Sequence, residues 1–160
     1  MLSEERKAFT LLELTFVIVI IGILSAVAIP KLAATRDDAV VTKAIATVSS
    51  VRNAIATERQ KRILRGKFTK IYELSSNSNT NDDIFDGFDG NTSTPVLSYP
   101  LHSCTTNTSK GCWKVKTAGS AATDAVYTYI MPDSGTVDFT LINNRFDCPS
   151  TNADCVLLTR

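Results

Sequence analysis

The chain is 160 residues long, 44% hydrophobic, and carries a formal net charge of +1. That length fits one domain plus a special segment, and a charge near zero singles out neither nucleic acid nor a membrane surface as a partner. The charges are unevenly placed. Arg59, Lys61, Arg62, Arg65, Lys67 and Lys70 cluster, while no Lys or Arg occurs from Ile71 to Ser109, a stretch that holds Glu73, Asp82, Asp83, Asp86 and Asp89.

From Phe9 to Ile29 the only charged residue is Glu13. At 1.5 Å rise per residue, about 20 such residues cross a hydrocarbon core of about 30 Å. The helix core of a soluble protein is usually shorter and shows a polar stripe. A secretory signal peptide has a shorter apolar region closed by a small-x-small cleavage site, whereas here Pro30 and Lys31 follow. The run therefore reads as a membrane span, with Arg6 and Lys7 on its cytoplasmic side. An ionised carboxylate at membrane depth costs several kcal/mol unless paired, so Glu13 marks a function. Were the chain cut after Ala8, Phe9 would become a free amino terminus one helical turn from Glu13. Ammonium and carboxylate would then be natural partners, within one chain or between staggered copies.

Lys7-Ala8 followed by Phe9-Thr10-Leu11-Leu12-Glu13-Leu14, and then an apolar run with Gly22 and Pro30, resembles the class III signal of type IV pilins and type II secretion pseudopilins. The close resemblance covers residues 6–32. It implies that a prepilin peptidase removes residues 1–8 on the cytoplasmic face and methylates the new Phe9 amine. It also implies that Glu13 meets the Phe9 amine of a neighbouring subunit in a filament. Ala8 departs from the glycine usual before the cut; alanine is small, so processing is still expected. The implied fold is α+β and pilin-like: a long N-terminal helix, its first half membrane-spanning, packed on a small C-terminal antiparallel sheet. The implied partners are the peptidase, other pilin or pseudopilin subunits and an inner-membrane assembly platform.

Residues 31–66 read as an amphipathic continuation of the helix at residues 9–30. Val41, Ala44, Val48, Val51 and Ile55 recur at 3,4 spacing, with Val40 and Ile45 beside them, and Gly66 stands where a C-cap would end it. Phe9 to Arg65 would make a helix of about 57 residues, roughly 85 Å if straight. Pro30 should kink or loosen it, and Gly22 adds a second weak point.

Residues 67–160 read as a periplasmic β head. The stretch 75–94, rich in Ser, Asn, Asp, Thr and Gly, reads as loop. Trp113, Val115 and Thr117 alternate with lysines, and 125–131 and 136–142 flank a Pro-Asp-Ser-Gly turn that predicts a hairpin. Residues 96–101 and 155–159 are weaker strand candidates. Cys104, Cys112, Cys148 and Cys155 admit three pairings; Cys104–Cys112 and Cys148–Cys155 are favoured, because each pair brackets a short polar, turn-forming segment. Disulfides after a membrane span place the head in the periplasm, anchored in the inner membrane by a single pass with its N-terminus cytoplasmic. The family resemblance adds that a C-terminal disulfide loop is common in pilins.

No pattern for catalysis is present: His102 is the only histidine, and neither a nucleophile elbow nor a P-loop occurs. No cofactor is expected. Asp82, Asp83, Asp86 and Asp89 lie in a Gly-containing loop of the kind calcium favours, but the EF-hand spacing is missing, and a solvated acidic loop is the preferred reading. The expected function is a structural subunit of a type II secretion pseudopilus or related pilus. The alternative is a competence or adhesion pilin, in which the basic cluster 59–70 meets DNA phosphates. The acidic 73–89 stretch of the next subunit is an equal partner for that cluster.

Overall fold

The computed structural model describes residues 9–77, 82–106, 108–133 and 135–160. The leader residues 1–8, including Ala8, lie outside the described residues, as do 78–81 of the loop and Ser134 of the hairpin turn. The chain forms two units, one ending at Asp38 and one comprising Ala39–Arg160.

One helix, α1 (Leu11–Leu64), contributes to both units, and its helical assignment is continuous through Pro30. Proline has no N–H to donate to the carbonyl of Ala26, so one main-chain bond is lost there. Thr10 is the N-cap: its carbonyl accepts from Leu14 N–H and its hydroxyl from Glu13 N–H at 3.2 Å. Gly66 ends the helix with a φ of 71°. Gly66 N–H bonds the Ile63 carbonyl and Lys67 N–H the Arg62 carbonyl, the paired bonds of a Schellman turn.

In the second unit, Ala44, Val48, Val51 and Ile55 of α1 are buried, with Val41 and Ile45 half-buried beside them. They join one core with a four-stranded antiparallel sheet in the order β3-β4-β5-β6: β3 (Cys112–Thr117), β4 (Val126–Ile130), β5 (Thr136–Ile142) and β6 (Arg145–Asp147). On β5 the pleat sends Val137, Phe139 and Leu141 inward and leaves Asp138 and Thr140 half-exposed. Phe85, Trp113, Tyr127, Tyr129, Phe139 and Phe146 form the aromatic centre, with Phe139 and Phe146 stacked at 4.9 Å. The architecture is α+β.

Two strand readings and one loop reading need correction. Of residues 96–101 only Leu101 is in a strand, in the short pair β1 (Asp83–Ile84) and β2 (Leu101–His102). Residues 155–159 are not a strand: Ala153–Leu158 form a helical turn, α2, capped by Asn152, whose side chain accepts from Asp154 N–H. The hydrophobic run that suggested a strand buries only Cys155 and Leu158, three apart on one helical face. The stretch 75–94 is more than loop, since it supplies β1 and buries Ile84, Phe85 and Phe88. Strand β6 went unread because it is three residues long. Its signal was Asn143-Asn144, which take φ of 50° and 62°, the left-handed pair that closes a two-residue hairpin between Ile142 and Arg145.

Candidate assembly site and the surface of the head

In the first unit every large apolar side chain from Phe9 to Leu32 is solvent-exposed, and α1 is long and apolar enough to cross a membrane. Glu13 lies in its first turn. Thr10-Leu11-Leu12-Glu13 has the Thr-x-x-Glu spacing of a capping box, a signal the sequence reading passed over. A carboxylate there also faces the positive end of the helix dipole. Gly22 is open on all sides within one chain: a Cβ built there meets nothing within 4 Å.

In the second unit the structure disperses the basic cluster. Arg59 donates to the carbonyls of Phe68 and Thr69, holding the chain as it leaves the helix. Arg62 is half-buried between Glu58 at 3.0 Å and Asp89 at 2.7 Å. Burial opposes its charge, but hydrogen bonds and attraction from those two carboxylates prevail and raise its pKa. Lys70 pairs with Asp124 at 3.0 Å. Lys61, Arg65 and Lys67 are exposed, so the cluster offers solvent only part of the charge its sequence suggests.

The acidic stretch is likewise drawn inward. Asp86 is buried and accepts from the Ser76 N–H and hydroxyl. Asp89 accepts from Tyr72 N–H and Glu73 N–H besides pairing with Arg62. Asp83 pairs with His102 at 3.0 Å on an exposed face, and the main chain of Asp82 accepts from Ser103 N–H. A solvated acidic loop is therefore the wrong picture for Asp86 and Asp89, and an acidic partner for Arg62 comes from its own subunit. Among the described residues no group of three or more His, Cys, Asp or Glu is placed to hold a metal ion.

Glu73 is the acid whose role the sequence hid. It is buried and accepts from the Tyr127 hydroxyl, Gly119 N–H and Leu74 N–H, joining three segments of the head. Burial, and then the charge and hydrogen bond of Glu73, push the Tyr127 pKa well up. Gly119 must be glycine, because a Cβ would lie 1.7 Å from the Tyr72 carbonyl oxygen. The cysteines are bonded as Cys104–Cys112 and Cys148–Cys155. The first closes the connection into β3, and the second ties the residue after β6 to α2.

Residues 5–29 match the model of the prokaryotic N-terminal methylation motif. A fimbrial protein of Moraxella nonliquefaciens is 33% identical over 99 residues, which cover 52% of this chain and 64% of that protein. A type IV narrow pilus major component of Thermus thermophilus is 49% identical over 52 residues, covering 32% of this chain and 45% of its own. The type II secretion system core protein G of Escherichia coli is 36% identical over 53 residues, covering 33% and 37%. The chain thus carries the N-terminal methylation motif and is similar to fimbrial, type IV pilus and type II secretion proteins. The chain spans about half to two thirds of the length of the fimbrial relatives it matches. No solved structure matches it.

Proposed function

We propose that this chain belongs to the type IV pilin and pseudopilin family and is a structural subunit of a type IV pilus or a related secretion pseudopilus, built in through its N-terminal helix. The observation that carries this reading is the exposed apolar face of Phe9–Ile29, in which Glu13 at the capped start is the one charged residue. Such a face has no place in water, and a membrane followed by a bundle of like helices would cover it. The matches to fimbrial proteins cover 52% of the chain against 33% for the secretion core protein, which favours the pilus. In this reading a prepilin peptidase cuts between Ala8 and Phe9 and methylates Phe9, the head is exported, and Glu13 neutralises the Phe9 amine of a neighbour. The DNA-binding reading loses support, because Arg59, Arg62 and Lys70 already bond partners within the same head.

Two measurements test this. Intact-mass analysis of the purified protein should show loss of residues 1–8 and one added methyl; an unprocessed chain in cells with an active peptidase would refute the reading. Glu13→Ala should leave membrane insertion and the head intact but abolish co-sedimentation with sheared filaments, because the neighbour's ammonium is left alone in an apolar bundle. Glu13→Gln should behave similarly, since it keeps the volume and loses the charge. Normal incorporation of both variants would show that the acid serves something else.

A further inference from the structure

We infer that Asn91 is an acceptor for N-linked glycosylation. The inference rests on the outward placement of the head. Asn91-Thr92-Ser93 is an Asn-x-Ser triplet with no proline at its centre, the acceptor pattern of surface loops in exported proteins.

The structure presents this triplet in the way the chemistry needs. Asp89 and Gly90 take φ of 52° and 76°, which drives the chain outward, and Asn91, Thr92, Ser93 and Thr94 are all exposed. The base of the turn is fixed: Phe88 N–H bonds the Thr94 carbonyl, Asn91 N–H the Phe88 carbonyl, and the Asp89 carboxylate is held by Arg62 and by the Tyr72 N–H. The Asn91 side chain folds into an Asx turn, in which Oδ1 accepts from Ser93 N–H at 2.9 Å. That bond occupies Oδ1 and fixes the side chain in the turn. Among the described residues neither Asn91 Nδ2 nor the Ser93 hydroxyl has a hydrogen-bond partner, so both are free for an enzyme to engage. There is also room: a Cβ built on Gly90 meets nothing within 4 Å, and a polar cleft of about 430 Å³ lined by Arg62, Arg65, Lys67 and Thr69 opens beside Asn91. A sugar attached at Nδ2 would therefore displace no core residue.

The co-reactant is an oligosaccharide carried on a polyprenyl diphosphate. Nδ2 attacks the anomeric carbon, an N–C1 bond forms, and the C1–O bond to the diphosphate breaks. The bonding pair leaves with the polyprenyl diphosphate, and one amide proton passes to solvent. No oxidation or reduction is involved.

The test uses whole, membrane-anchored protein from its own cells, digested with trypsin without reduction. Because no Lys or Arg lies between Ile71 and Ser109, residues 71–110 emerge as one peptide, joined through Cys104 to the peptide containing Cys112. Electron-transfer fragmentation should place a glycan on Asn91. Asn91→Gln and Ser93→Ala should each lose it while the disulfide-linked peptide persists, which shows that the head still folds. Asn107→Gln, in the second Asn-x-Ser triplet, should leave Asn91 occupied. A bare Asn91 in a disulfide-linked peptide, or sugar confined to Asn107 or to hydroxyl side chains, would overturn the proposal and leave the pilin reading standing. Free thiols at Cys104 and Cys112 would remove the outward placement and overturn both.

Discussion

Tyr127 and Glu73 form a buried pair in which the hydroxyl donates to a carboxylate that also gathers the amides of Leu74 and Gly119. Removing the hydroxyl takes a buried hydrogen bond from the carboxylate and leaves Leu74 N–H as the partner of that oxygen, so Tyr127→Phe should cost about 1–3 kcal/mol in urea unfolding of the head. The same group sets an alkaline limit. The Tyr127 pKa is raised well above 10.0 and that of Tyr129, by burial, to about 12. Unfolded tyrosines ionise near their ordinary value and folded ones later. Their contribution is therefore complete below about pH 10 and is lost as pH rises from there toward the folded values. Urea midpoints measured from about pH 9 to about pH 11 should fall, and Tyr127→Phe should flatten the fall. A midpoint independent of pH over that range would contradict the buried state of these phenols. Glycines divide just as sharply. Gly119→Ala should destabilise the head by at least about 2 kcal/mol, because its Cβ would overlap the Tyr72 carbonyl. Gly22→Ala, with open space around it, should leave the unfolding of the head unchanged.

The sheet and the elements around it are held by cross-strand and cross-link contacts. On the outer face Lys116 of β3, Thr128 of β4 and Asp138 of β5 form a triad, with both partners bonding Asp138 at 2.5 Å. Burial pushes the Asp138 pKa up, but the hydrogen bonds from Lys116 and Thr128 outweigh it and the net shift is downward. Its contribution is therefore present above the unfolded carboxylate range and is lost as pH falls through the depressed folded value. The C-terminal turn α2 is too short to persist alone and depends on Leu158 in the core and on the Cys148–Cys155 bond. Replacing both cysteines by serine should cost about 2–3 kcal/mol on the chain-entropy estimate. It should also raise amide exchange across 153–158 before the sheet itself loosens. Equal exchange in the two proteins would show that the bond does not hold α2.

At the scale of the molecule the two units divide the work. Every buried hydrophobic residue of the core lies at Ala44 or beyond, and the apolar run before it contributes no buried side chain. A chain of residues 39–160 should therefore fold alone, with both disulfides, and unfold in a single cooperative transition by circular dichroism. Noncooperative melting would mean that the first unit completes the core. The whole chain should need detergent or a filament to stay dispersed, because residues 9–29 offer water an apolar surface with one charge on it.

The sequence by itself determined the parts governed by local chemistry. The apolar run with Glu13 announced a helix long enough to cross a membrane and a family resemblance, the 3,4 spacing of Ala44, Val48, Val51 and Ile55 announced the packed face of α1, and Gly66 announced its end. The alternation in 113–117 and the turn between 125–131 and 136–142 announced the sheet. These signals work because a helix turn or a pleat acts on residues only a few places apart. Tertiary structure decided what depends on distant residues. It turned 153–158 into a helix by burying one face, and drew Phe85, Asp86 and Phe88 from an apparently polar loop into the interior. It also matched Arg62 to Asp89 within the same chain and placed Glu73 against Tyr127, 54 residues away. Charge and polarity along a chain do not reveal which groups will satisfy one another once water is excluded; only the packed fold brings those partners together.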